Sequence, residues 1–153
     1  MLAIGDKAIG FTVKNQQGKD ISLDDFLGKK VVLYFYPKDN TPGCTTEACG
    51  LRDVYDEILN LGAVVLGVSP DNEKSHTKFI EKFNLPFHLL ADVDHKIAEG
   101  YGAWGEKKSY GKIYLGIKRM TYLIDEKGNV LNVWPKVSPK DHADQILAAL
   151  KVE

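Results

Sequence analysis

The chain predicts an α/β sandwich with a mixed central β-sheet flanked by helices, and three observations lead there. Two continuous apolar runs, VVLYFY at 31–36 and AVVLGV at 63–68, are short, rich in β-branched residues and bounded by Gly, Lys, Pro or Ser. They have the character of strands buried on both faces. The stretch between them is long enough for a crossover helix, so the pair reads as a right-handed βαβ unit with parallel strands. TYLIDEKGNVLNVW at 121–134 alternates and turns at Asp125 to Gly128, the pattern of a hairpin. A βαβ unit followed by a hairpin and a helix makes layers of helix on a mixed sheet.

The remaining elements follow in chain order. A helix that carries both cysteines of the chain, Cys44 and Cys49, fills the crossover between the two apolar runs. A second helix spans about Asn72 to Phe83, with Phe79, Ile80 and Phe83 on one face, and stops before the Asn-Leu-Pro at 84–86. Residues 100–112, GYGAWGEKKSYGK, hold four glycines and three aromatics without helical or strand period, and read as a loop. The last element, from Pro139 to about Lys151, places Ile146, Leu147 and Leu150 on one side of a terminal amphipathic helix.

A chain of 153 residues fits one domain, 1–153, and buries about 70% of the surface its unfolded form exposes, so neither disulfides nor metal are needed for folding. No repeat, low-complexity tract or linker interrupts it. With 27% charged residues and a net charge of −1, it lacks the basic face that nucleic-acid binding requires. No stretch reaches the 18 apolar residues of a membrane span, and the N-terminus has no basic segment followed by a long apolar run. A cytoplasmic protein with no nucleic-acid and no membrane partner is expected. In a reducing cytosol, paired cysteines are more often catalytic, redox-sensing or metal-binding than structural.

On a helical wheel Cys44, Ala48, Leu51, Tyr55 and Ile58 fall within about 80° of one another, a core-facing stripe. Cys49 lies about 140° round from Cys44, on the polar face with Thr45, Arg52 and Asp56. One sulfur is sheltered and the other within reach of a partner. Thr41 suits the N-cap and Pro42 the first helical position, where its missing N–H is no loss. Gly43 and Cys44 then occupy the first turn, where unpaired N–H groups and the positive end of the helix dipole favour a thiolate. A buried cysteine without a role is the competing reading. It weakens because the Pro-Gly pair clears room for a small ligand near the backbone.

A zinc site needs two more soft or imidazole ligands, and His76, His88, His95 and His142 show no ligand-like spacing, so no metal is expected. Spacing alone leaves a papain-like Cys/His pair open, although no histidine lies beside a motif that favours it. Arginine usage is more telling: the basic residues are 18 lysines and only two arginines, Arg52 and Arg119. Where lysine is the default cation, a lone arginine hints at planar, multi-donor recognition. Arg119, just before TYLI, is the candidate, and Arg52 reads as a solvated cation.

The stretch FYPKDNTPGCTTEACGLRD at 35–53 resembles the active-site segment of peroxiredoxins of the bacterioferritin comigratory protein type, within the thioredoxin-like superfamily. The pattern P-x-x-x-T-x-x-C is met by Pro37, Thr41 and Cys44. Similarity extends along nearly the whole chain, through GDKAIGFTV, LLADVDHKIAEGYGAW and RMTYLID. The resemblance implies a thioredoxin-like fold and a thiol peroxidase without a cofactor. It makes Cys44 the peroxidatic cysteine, Arg119 the catalytic arginine, and Cys49 the resolving cysteine of members that form an intramolecular disulfide. Thr41, with the backbone of Gly43 and Cys44, would hold the peroxide, and Pro37 would shield the sulfur. Thioredoxin or a similar dithiol would reset the disulfide, and a bond within one chain suits a monomer.

Two other functions remain in view at this level. A thioredoxin-type disulfide oxidoreductase is disfavoured because it uses C-x-x-C, whereas five-residue spacing on a helix holds sulfurs apart. A peroxide-responsive redox sensor would use the same disulfide to change shape, oxidising once and stopping.

Overall fold

The computed structural model describes residues 1–152. Its centre is a five-stranded mixed sheet in the order β5-β4-β3-β8-β9. Strands β3 (Lys30–Phe35), β4 (Ala63–Ser69) and β5 (His88–Ala91) run parallel, and β8 (Met120–Ile124) and β9 (Val130–Trp134) are antiparallel to their neighbours. The two apolar runs are thus β3 and β4, paired in register from Lys30–Ala63 to Phe35–Val68. Period-two geometry splits each of them between two cores. Val31, Leu33, Phe35, Val64, Leu66 and Val68 enter one, and Val32, Tyr34, Tyr36, Ala63 and Val65 the other.

The second core is roofed by α1 (Pro42–Asp53), α2 (Tyr55–Asn60), α3 (Glu73–Phe83) and α5 (His142–Val152), through Cys44, Ala48, Leu51, Ile58, Phe79, Ile146, Leu147 and Leu150. The first is closed by Ile21 of β2 (Asp20–Ser22), which pairs with β1 (Thr12–Lys14), and by Ile97, Ala98 and Tyr101 in and after α4 (Lys96–Gly100). Helix α3 matches its expected span. Asn72 caps it by accepting from the Ser75 N–H at 2.9 Å, and Asn84 ends it in left-handed backbone.

Three expectations change. The cysteine helix does not run unbroken to Ile58: it breaks at Val54, where φ −113° and ψ 10° leave the helical region. Ile58 stays fully buried, while Tyr55 is half-buried. The terminal helix begins at His142 rather than Pro139, because residues 138–141 turn, with Asp141 N–H donating to the Ser138 carbonyl. The supposed loop at 100–112 is the end of α4 followed by a hairpin, β6 (Trp104–Ser109) and β7 (Lys112–Ile117). Its turn is made by Tyr110 and Gly111, both at positive φ (51° and 76°), as a type I′ turn requires. Neither face of this hairpin's outer half is covered, so no alternation of apolar and polar residues marks it in the sequence.

Candidate active site

The segment 36–41 links β3 to α1, and buried polar groups hold its shape. Tyr36 OH donates to Asp39 Oδ1 at 2.6 Å, and Asp39 Oδ2 pairs with Ser75 Oγ at 2.8 Å and His76 Nδ1 at 2.7 Å. The Asp39 N–H donates to Asp71 Oδ2 at 2.7 Å, and His76 Nε2 donates to the Leu90 carbonyl at 3.0 Å. This clamp ties the segment bearing Pro37 and Thr41 to α3 and to the ends of β4 and β5. Asp39, Asp71 and His76 lie within 4.8 Å of one another and by type alone suit a metal. Both nitrogens of His76 and the carboxylates are already engaged by the clamp, which is how buried polar groups are normally satisfied.

Thr41 occupies the N-cap position, in extended backbone (φ −96°, ψ 156°), and its carbonyl accepts the Thr45 N–H at 2.8 Å. Its hydroxyl does not cap the helix. It donates back to the Lys38 carbonyl at 2.9 Å. Pro42 takes the first helical position as expected, leaving the N–H groups of Gly43 and Cys44 in the first turn, where a helix supplies no internal acceptor. Cys44 is 1% exposed and packs in the second core, whereas Cys49 is half-buried, and both are free thiols. Pro37 is half-buried just after β3.

Arg119 reaches this helix end from 75 residues away in sequence. The antiparallel register pairs Phe35 with Met120, so Arg119 lies at the level where β3 gives way to the 36–41 segment. Its guanidinium rests on the first turn of α1: a Cβ at Gly43 would lie 2.8 Å from Arg119 Nη2 and 3.4 Å from Cζ. Glycine at 43 thus lets this cation approach closely the residue preceding Cys44, and a side chain there would push the guanidinium aside. Arg119 Nη1 also donates to Glu47 Oε1 at 3.4 Å. Arg52, read as a solvated cation, is in fact half-buried, and its Nη1 donates to the Phe83 carbonyl at 2.8 Å, tying α1 to the end of α3.

Two buried titratable groups beneath the site escaped the sequence reading. Glu47, one turn below Cys44, has a fully buried side chain with Oε2 unpartnered, and burial pushes its carboxyl up to about 8 against the pull of Arg119. His142 Nε2 shares a hydrogen bond of 2.7 Å with Thr121 Oγ1 and lies 3.9 Å from Glu47 Oε2; burial lowers it to about 4. The one available signal for Glu47 is its place about 60° from Cys44 on the wheel, at the edge of the stripe.

Opposite pH effects follow. Between about 4.5 and 8 the folded protein keeps a proton on Glu47 that the unfolded chain releases, so stability falls as pH rises. Between about 6.5 and 4 the unfolded chain protonates His142 and the folded one does not, so stability falls as pH drops. The two slopes oppose below about 6.5, and Glu47 acts alone above it. Glu47→Gln is expected to flatten the alkaline loss, so that its urea midpoint increasingly exceeds the parent's from about pH 6.5 to about pH 8. Parallel curves for the two proteins would show that Glu47 carries no such proton.

The broad groove of about 1050 Å³ beside β1, lined by Phe11, Val13, Asn72 and Tyr101 among others, includes no residue of α1 and not Arg119. Cys44 and Arg119 lie instead at the N-terminus of α1. Residues 4–133 match the AhpC/TSA family. Peroxiredoxin Bcp of Bacillus subtilis is 51% identical over 150 residues, covering 98% of this chain and 96% of that protein. A putative peroxiredoxin bcp of Haemophilus influenzae is 53% identical over 150 residues, covering 98% and 97%. Among solved structures, a Xanthomonas campestris bacterioferritin comigratory protein, studied for its alkyl peroxide reduction activity, superposes with TM-score 0.88 at 40% identity, covering 93% and 90% of the chains. A PrxQ mutant of Xylella fastidiosa gives TM-score 0.93 at 33% identity, covering 99% and 97%. A sheltered thiol in the first turn of a helix, met there by an arginine from β8's edge, therefore stands in a chain that belongs to the AhpC/TSA family, as a thiol peroxidase of the bacterioferritin comigratory protein type of peroxiredoxin.

Proposed function

We propose that this chain reduces hydrogen peroxide and organic hydroperoxides through Cys44, and that Cys49 and an external dithiol complete the cycle. The observation that carries the reading is the Arg119 guanidinium packed on Gly43, beside the buried Cys44 at the start of α1. The Cys44 thiolate attacks one peroxide oxygen and the O–O bond breaks. The sulfur becomes a sulfenic acid, and the departing oxygen leaves as hydroxide or alkoxide and takes up a proton to give water or an alcohol. Cys49 then condenses with the sulfenic acid, releasing water and forming a disulfide. Thioredoxin or a similar dithiol returns both thiols and is itself oxidised.

Thiolate formation cannot supply the acceleration. An ordinary thiol of pKa about 8.5 is already about 3% ionised at pH 7, so complete ionisation gains at most about 30-fold. The weaker nucleophilicity of a more acidic thiol removes part of that gain. The larger share falls to groups that act on the transition state. Arg119 and the N–H groups of Gly43 and Cys44 are fixed in advance where charge develops on the departing oxygen. Thr41 contributes its hydroxyl to the peroxide once that group turns from the Lys38 carbonyl, and Pro37 shields the sulfur.

The relative from Xanthomonas campestris supports organic hydroperoxides as substrates. A disulfide closed within one chain gives no chemical need for a dimer, and a cytoplasmic monomer forming one domain over 1–153 is the arrangement proposed. The test is NADPH consumption with thioredoxin and its reductase across hydrogen peroxide, an alkyl hydroperoxide and a lipid hydroperoxide. Sustained peroxide-dependent turnover supports the reading. Oxidation of one equivalent followed by arrest marks a sensor, and insulin reduction without peroxide consumption marks a disulfide oxidoreductase.

Arg119→Lys is expected to lose at least about tenfold in peroxidase rate although charge is conserved, because an ammonium cannot present a planar fork to two oxygens and to Glu47 at once. Equal rates would reduce Arg119 to a structural cation.

A further inference from the structure

The β6–β7 hairpin has no part in the chemistry above, and its construction is unusual. It pairs only with itself, outside the central sheet. Its root is anchored, with Ile117 buried and Trp104 stacked on His95 at 3.8 Å between ring centroids. Its outer half carries Ile113 and Leu115, 61% and 62% exposed, and the fully exposed Tyr110 at the tip. Tyr110 takes a left-handed φ of 51°, at a turn position that Asn, Asp or Gly normally fills. Among the described residues nothing packs on it to explain an aromatic there.

Charge is concentrated on the same element. Residues 104–119 hold Lys107, Lys108, Lys112, Lys118 and Arg119 against one acid, Glu106, on a chain whose net charge is −1. Lys107 is engaged, donating to the Ile117 carbonyl at 2.8 Å, while Lys108, Lys112 and Lys118 are exposed. Ile113 and Leu115 share one face with their cross-strand partners Lys108 and Glu106, and Lys112, opposite Ser109, lies on the other, so a lysine flanks the apolar tip on each face.

We propose that the β6–β7 hairpin docks this protein on the surface of anionic phospholipid bilayers. Tyr110, Ile113 and Leu115 would sit at headgroup depth, and Lys108 and Lys112 would face the lipid phosphates. Aromatic and aliphatic tips flanked by lysines are the composition that partitions into a membrane interface. A second copy of the chain fits poorly, since a two-fold contact between hairpins sets like charges against each other. No spanning segment is needed: among the described residues no helix is long and apolar enough to cross a membrane. The expectation of no membrane partner rests on the lack of such a span and of a basic segment followed by a long apolar run, neither of which bears on surface docking. Because Arg119 follows the hairpin by two residues, docking holds the α1 site close to the lipid surface.

Flotation of the full chain tests this with vesicles of equal parts phosphatidylglycerol and phosphatidylcholine, against phosphatidylcholine alone. Binding is expected to the first and at least about tenfold weaker to the second. It should decline as salt shortens the screening length from about 30 Å at 0.01 M to about 8 Å at 0.15 M. The pair Lys108→Gln with Lys112→Gln should weaken partitioning on the order of 30-fold. Ile113→Ser with Leu115→Ser should weaken it at least about tenfold. Both pairs should leave hydrogen peroxide reduction in lipid-free buffer, and circular dichroism, unchanged. Vesicle binding is read without turnover, so it stands or falls separately from the peroxidase reading. Absent or composition-independent binding overturns the proposal, as do variants that bind like the parent. Loss of thioredoxin-linked turnover in the variants, with no vesicle binding by the parent, also overturns it and makes the hairpin a protein-docking surface.

Discussion

Cys44→Ser is expected to abolish peroxide turnover, leaving no more than a few per cent, while the protein stays folded. A hydroxyl ionises far above neutral pH, so the helix end and Arg119 would have no anion to hold and no nucleophile to present. The fold should survive because serine differs from cysteine by one atom. Placing its hydroxyl at a position 1% exposed costs about 1–3 kcal/mol unless it finds a hydrogen bond, a loss a domain of this size can absorb. The measurement pairs the thioredoxin-coupled assay with circular dichroism and a denaturation curve. Activity well above that residue in a folded variant would sink the assignment of Cys44.

Cys49→Ser is expected to consume about one peroxide per chain and then stop. With no second thiol to condense, the sulfenic acid on Cys44 persists and goes on to sulfinic acid, visible by mass spectrometry as added oxygens on Cys44. Normal thioredoxin-linked turnover would remove Cys49 from the cycle. The structure gives this step a conformational cost. Helix α1 is continuous from Pro42 to Asp53, and residues five apart in such a helix have Cα atoms about 8.7 Å apart. A disulfide accepts about 4.4 to 6.8 Å. Oxidation must therefore unwind α1 over about residues 44–50, withdrawing Cys44 and Ala48 from the second core and Glu47 from Arg119. Gly50 lowers the cost of a break, since glycine weakens a helix by about 1 kcal/mol relative to alanine. The break at Val54 gives the change a natural end before α2. Amide exchange should rise at 44–50 on oxidation and remain slow in α2; an oxidised form with an unbroken helix over 44–52 would refute the mechanism.

Much of this was legible without coordinates, for identifiable reasons. Strands β3 and β4 declare themselves because burial on both faces demands an uninterrupted apolar run. Helix α3 does so because one face packs while the other is solvated, and β8–β9 because Asp125 to Gly128 can only turn. The β6–β7 hairpin stayed hidden because exposure of its outer half erases the alternation by which strands are recognised. Helix α1 was extended too far because the stripe from Cys44 to Ile58 keeps its period across the break at Val54.

The candidate site divides along the same line. Residues that act through local geometry, Thr41, Pro42, Gly43 and Cys44 at a helix start, were readable because capping and first-turn preferences depend on a few neighbours in sequence. Arg119 was readable only as an oddity of composition and by resemblance. Glu47, His142 and the clamp of Asp39, Asp71 and His76 were not readable, since a buried polar group is tolerable only through partners that distant segments supply.

By itself, then, the sequence determined the sheet's central strands, the helix that presents Cys44 and the kind of chemistry a first-turn thiol supports, because hydrophobic period and helix-end preferences are local. The tertiary structure alone decided that Phe35 pairs with Met120. That register sets the Arg119 guanidinium against Gly43 and over Glu47. It results from burying two strands 85 residues apart in one core, a choice that no short stretch of either strand contains.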